Sequence, residues 1–138
     1  MMKIIAIVDD SYGMMFNKRR QSRDKVLYEK VATLVADHRL WMNSYSYTLF
    51  EGMDGNICVE EDFLSKIAEG EYCFVEDKNV ASYIEEIEEV ILFHWNRKYP
   101  SDFKLDILPE QEGFICVSTE EFVGNSHENI TMERWTKE

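Results

Sequence analysis

The chain offers few soft metal ligands: three cysteines, Cys58, Cys73 and Cys116, and three histidines, His38, His94 and His127, among 138 residues. The cysteines are odd in number and lack a C-x-x-C pair, which argues against a disulfide framework and against a structural zinc site. They fall on apolar, strand-like runs and read as small buried hydrophobes. The histidines are isolated, with no H-x-H-x-D-H or H-E-x-x-H cluster, so a metal-dependent hydrolase or nuclease is disfavoured. His94 sits within a strand-like run and reads as a packed or rim side chain rather than a general base. No apolar run approaches the roughly 20 residues that span a bilayer. The chain starts with neither a basic leader and apolar stretch nor a small-residue cleavage site, from which a cytoplasmic location is expected. Cations are scarce as well: 15 Lys and Arg face 27 Asp and Glu, a net charge of −12. That balance disfavours direct binding to nucleic acid.

What is present suits one compact domain over 1–138. The length is near the modal domain size, 45% of the residues are apolar, and there is no low-complexity tract. Residues 3–8 form a continuous apolar run, as expected of a parallel strand covered on both faces. From Ser22, read as a cap, Val26, Leu27, Val31, Leu34 and Val35 recur at helical spacing as far as Asp37-His38. A strand over 39–43, a short helix through Phe50 and a turn over 51–56 follow. Ile57 to Val59 reads as a strand. Glu61 to Glu69 reads as a helix with Phe63, Leu64, Ile67 and Ala68 inward and Gly70 as its stop. The alternation predicts an α/β fold with a mainly parallel sheet.

The first fifty residues are the most informative. Ile4-Ile5-Ala6-Ile7-Val8 runs into Asp9-Asp10-Ser11-Tyr12-Gly13-Met14 and then Ser22-Arg23-Asp24, and Leu40 to Ser46 repeats the theme of a strand entering a short helix. A buried strand, an irregular loop and a carboxylate opening a helix are the parts of a pocket with a placed acid. In this order they resemble the dihydrofolate reductase family, in which a V-D-x-x-x-G-M type turn, a mobile loop and an acid at the first helix follow the amino-terminal strand. The resemblance is weak but colinear over most of the chain. It implies a strand at Tyr72 to Val75, a helix at Asn79 to Ile87, a strand at Val90 to Trp95, Asp102 after a short loop, and a terminal antiparallel strand pair in Gly113 to Gly124 and Glu128 to Lys137. The implied architecture is the dihydrofolate reductase-like three-layer α/β fold.

Three departures bear on function. Where the family has paired glycines that admit the cofactor pyrophosphate, this chain has Glu76-Asp77, two negative charges that would repel it; alternatively Asp77 caps the next helix. Where the family has glycine followed by a cation for the cofactor 2′-phosphate, this chain has Asn43-Ser44, and it reaches Ile57 with no room for the segment that wraps adenosine. NADPH is therefore doubtful as a cofactor, and none is expected. The third departure is the loop over the pterin pocket, where Lys18, Arg19, Arg20, Arg23 and Lys25 replace an apolar stretch; they read either as a solvated loop or as a site for an anion or acidic partner.

By position Asp24 is the candidate acid, its pKa raised if its cleft is dry; it reads equally as a helix-end residue. Ile5, Ala6, Tyr28, Ser46, Phe50 and Phe93 are the candidate ligand contacts around an apolar cleft. The leading expectation is a reductase-like fold that lacks standard NADPH-dependent catalysis and acts as a binding or regulatory protein. The alternatives are a small reductase on a pterin-like heterocycle with Asp24 as proton donor, and an acidic protein that mimics nucleic acid through Glu60-Glu61-Asp62, Glu85-Glu86 and Glu88-Glu89. The expected partners are a small-molecule ligand, a protein or a second copy of the chain, with no membrane.

Overall fold

The computed structural model describes residues 1–53 and 55–137. The expected turn over 51–56 thus includes one residue, Asp54, that lies outside the described residues. Strand β1 (Met2–Val8) is the hub, pairing in parallel with β6 (Tyr72–Val75) on one side and β7 (Ile87–His94) on the other. Beyond β6 lie β4 (Arg39–Met42) and β5 (Asn56–Val59), also parallel. Beyond β7 the direction reverses: β10 (Ile130–Lys137) runs antiparallel to it and β9 (Phe114–Phe122) antiparallel to β10. The order is β5-β4-β6-β1-β7-β10-β9, the α/β arrangement with an antiparallel ending that the alternation predicts.

Alternation along β1 explains its unbroken apolarity. Ile4, Ala6 and Val8 enter one core with Cys73, Val75, Val90 and Leu92, whereas Ile5 and Ile7 enter the other with Phe74, Ile91 and Phe93. Helix α1 (Lys25–Val35) closes the second core with Leu27, Tyr28, Val31 and Val35, all on one face at helical spacing. Its cap is Asp24, whose side chain accepts the Leu27 N–H, and not Ser22. The other face is covered by short 3-10 turns and by a small sheet in which β2 (Gly13–Phe16) pairs with β3 (Arg19–Arg20) and β8 (Phe103–Lys104). A second, four-residue helix α2 (Ser44–Tyr47) follows β4.

Three expectations are corrected. The helix over Glu61–Glu69 is only a 3-10 turn at Phe63–Ser65, with Phe63 and Leu64 buried but Ala68 exposed. The helix over Asn79–Ile87 is a 3-10 segment, Ala81–Glu86, and Ile87 already belongs to β7. Both segments are too short to offset the cost of helix nucleation without a packed face. Burial of the cysteines holds for Cys73, whose thiol pKa is pushed up by desolvation. Cys58 is half-buried, and Cys116 stands exposed on β9. No helix of the described residues is long and apolar enough to cross a membrane.

Candidate functional site

The buried polar groups gather at one place. Asp9, Asn43, Glu76 and Trp95 each stand just past the carboxyl end of a parallel strand, respectively β1, β4, β6 and β7, the edge at which ligands of open α/β sheets sit. Asp9, Asp24, Asn43, Ser46, Glu76 and His127 are all buried and polar there, and among the described residues Glu89 is the one buried polar side chain that stands elsewhere. The β2–β3 hairpin folds over this edge. It turns through Asn17 and Lys18, both left-handed at φ 50° and 60°, the combination that matches strand twist in a two-residue hairpin.

That hairpin delivers Arg20 into the cleft. Its Nε donates to Glu76 Oε2 at 2.9 Å and its Nη2 to Glu76 Oε1 at 3.0 Å. The guanidinium also lies 4.1 Å from the centre of the Tyr45 ring, and Ser46 Oγ donates to Glu76 Oε1 at 2.8 Å. Both ionic side chains are buried, 8% and 9% exposed. Burial alone would lower the Arg20 pKa, but the Glu76 carboxylate outweighs it and the value is raised. The Tyr28 phenol is pushed up, first by burial and then by the charge of Glu76. The space left between Ile7, Arg20, Tyr28, Glu76 and Trp95 is a cavity of about 10 Å³, enough for about one water molecule.

Asp24 is enclosed from the other side. The loop between β9 and β10 presents three successive N–H groups to it, those of Asn125, Ser126 and His127 at 2.9, 2.8 and 3.1 Å, a nest for an anion. Gly124 permits this approach, because a Cβ there would collide with the Asp24 carboxylate and with Ile130. His127 Nδ1 lies 3.3 Å from Asp24 Oδ2, and its ring stacks on Trp95 at 4.3 Å. Desolvation would raise the Asp24 pKa, but the N–H groups of Asn125, Ser126 and Leu27, with His127, outweigh it and hold the value at about 2. The expected rise is thus reversed. Asp9 is treated alike: burial raises it, while N–H donors from Gly13, Tyr99 and Ser11 and the Gln21 amide bring it below the ordinary carboxylate value.

Two further carboxylates occupy backbone donors at segment starts. Asp106 accepts the N–H groups of Val80 and Ala81 at 2.8 and 3.0 Å, ahead of the 3-10 segment after β6. Glu61 accepts the Ser44 N–H at 2.8 Å, at the start of α2, and its pKa falls because of that bond. Asp77 caps no helix; it accepts from the Asn43 amide at 3.0 Å. Among the described residues no cluster of His, Cys, Asp or Glu is placed to hold a metal ion.

Of the residues singled out in the sequence, the fold brings Asp24, Arg20, Tyr28 and Ser46 to this edge. Ile5, Phe50 and Phe93 lie below it, fully buried in the second core, and Ala6 points into the first core, so Ile5 and Ala6 cannot line one cleft together. Lys18, Arg19 and Arg23 are exposed as the cation run suggested, whereas Arg20 is not a free cation but the partner of Glu76. Sequence reasoning missed Asp9, Gln21, Tyr99 and His127. Glu76 was legible only as a bare charge, because its partner stands 56 residues away.

No family model and no curated protein sequence matches the chain. Among solved structures, dihydrofolate reductase from Enterococcus faecalis complexed with NADP(H) and RAB-propyl superposes with a TM-score of 0.69 at 9% identity, covering 99% of this chain and 95% of that one. The fold is that of dihydrofolate reductase. The likeness lies in the course of the backbone over nearly the whole of both chains.

Proposed function

We propose that this dihydrofolate reductase-fold protein does not reduce dihydrofolate with NADPH and acts in the cytoplasm as a binding or regulatory protein. The observation that carries the reading is the Arg20–Glu76 pair, which fills the cleft between β1, α1 and β7 down to about one water. Asp106 already takes the N–H groups of Val80 and Ala81, and Glu61 that of Ser44, so these backbone donors are not free for a cofactor phosphate. These contacts support the reading that NADP(H) is not its cofactor. The alternative, a small reductase with Asp24 as proton donor, requires a protonated carboxyl near neutral pH, and a group held at about 2 is ionised there.

The test is a dihydrofolate-dependent NADPH oxidation assay combined with a melting screen over NADPH, NADH, folates and antifolates. The expected result is no saturable oxidation and no rise in melting temperature. A ligand at 100 times its Kd would add about 2.7 kcal/mol, a rise too large to miss. Saturable turnover, or a melting shift with NADPH, overturns the reading.

A further inference from the structure

The interactions of Asp24 do not end at His127. On the far side of the imidazole, Nε2 lies 3.3 Å from Ser22 Oγ and 2.9 Å from the Tyr99 hydroxyl. The tautomer follows from the neighbours. Nδ1 faces Asp24 Oδ2 at 3.3 Å and Ser126 Oγ at 3.0 Å, and the Ser126 hydroxyl proton is directed to the Arg23 carbonyl or to Asp24 itself. Both neighbours of Nδ1 are thus acceptors, so Nδ1 carries the proton and Nε2 presents its lone pair to the two hydroxyls. A buried carboxylate, an imidazole held by it, and a serine on the basic nitrogen are the parts of a nucleophilic relay, which is identified by geometry and role rather than by fold or chain order.

The surroundings define what could react. Ser22 is half-buried and lines the cavity of about 10 Å³; Arg20 and Gln21, which share that cavity, also line with Phe16, Asn17, Arg19, Tyr99 and Pro100 an open recess of about 480 Å³. Phe16, Pro100 and the Tyr99 ring suit a small apolar body. Arg19 is exposed and has no carboxylate partner among the described residues, which suits an anionic end.

We propose that Ser22, His127 and Asp24 form an acyl-transfer site for small esters that carry a negative charge. Ser22 Oγ bonds to the ester carbonyl carbon while its proton passes to His127 Nε2. The carbon–oxygen bond to the leaving alcohol breaks, and the alcohol takes that proton. Water then attacks the acyl-serine with His127 again accepting the proton, which releases the carboxylic acid and restores Ser22. Tyr99 is placed to turn its O–H from Nε2 to the developing oxyanion. Asp24 is a positioning residue that fixes the imidazole.

This activity goes beyond the proposed binding role and does not depend on whether dihydrofolate is reduced. The test uses the full chain with p-nitrophenyl acetate and with p-nitrophenyl hydrogen succinate, following nitrophenolate release and mapping the acyl adduct by peptide mass spectrometry. The expected result is a burst, an adduct on Ser22, and a rate for the succinate ester that exceeds the acetate rate and falls to it in Arg19→Ala. Ser22→Ala, at a half-buried site whose folding is checked by circular dichroism, should lower the rate by about 100-fold or more. Should His127→Gln fail to fold, the adduct map on the unaltered chain still decides. No adduct at Ser22, or an unchanged rate in folded Ser22→Ala, overturns the proposal, and equal rates for the two esters overturn the assignment of the recess.

Discussion

Two regions of the same sheet reverse the usual arrangement of polar and apolar side chains in opposite senses. At the carboxyl edge, Asp9, Asp24, Glu76 and His127 are buried; on and beside the edge strand β9, Ile115, Val117 and Val123 are exposed at 47%, 55% and 74%. The first arrangement persists because each buried group has a partner, and removing one leaves its mate desolvated and unpaired. The second persists because an exposed apolar side chain costs little, and because the register with β10 leaves Val117 as an extra residue, a bulge that bends an edge that could otherwise recruit another strand. Stability should therefore be sensitive at one end of the sheet and indifferent at the other.

The largest effect is expected from Arg20→Met, which strands Glu76 in the cleft. Chemical denaturation should show a loss of about 3–5 kcal/mol, most of it recovered when Glu76→Gln is added. A loss under 1 kcal/mol would mean that the pair is solvated and the contrast false. Next is acid. The Asp24 pKa lies near 2 when folded, below the ordinary aspartate value of 3.8, so its contribution is complete above about pH 4 and is lost as pH falls through 2. The loss is on the order of 2 kcal/mol, and Asp24→Asn should flatten that limb of the stability–pH curve. Gly124→Ala should cost about 1–3 kcal/mol through collision with Asp24 and Ile130, measurable as a melting shift. The smallest effect is reserved for β9, where Val117→Thr should stay within about 0.5 kcal/mol; a larger loss would show that the exposed strand has a partner in solution.

What could be read from the sequence follows the same division. The α/β class, the first strand and the first helix were legible, because β1 is apolar on both faces and α1 carries Leu27, Val31 and Val35 at helical spacing. Asp24 was legible as a special carboxylate by its place at the helix start. Its state was not, since burial alone pointed upward and the opposing N–H groups stand 101 to 103 residues away. Glu76 misled for the same reason: a charge can be read locally, but its neutralising partner cannot. The 3-10 segments escaped because Phe63, Leu64, Val80 and Ile87 have the composition of helices without the length.

The Asp24 nest also joins distant parts of the chain. One carboxylate holds the start of the first helix to the loop that precedes the final strand, and Asp9 likewise holds the end of the first strand to Tyr99, 90 residues on. Closing loops of that length is entropically costly before any contact compensates for it. The carboxyl edge is therefore expected to assemble late, after β1, β6 and β7 have docked and the β9–β10 hairpin has closed over them. Its buried charges would then report, in kinetic experiments, on completion of the fold rather than on its nucleation.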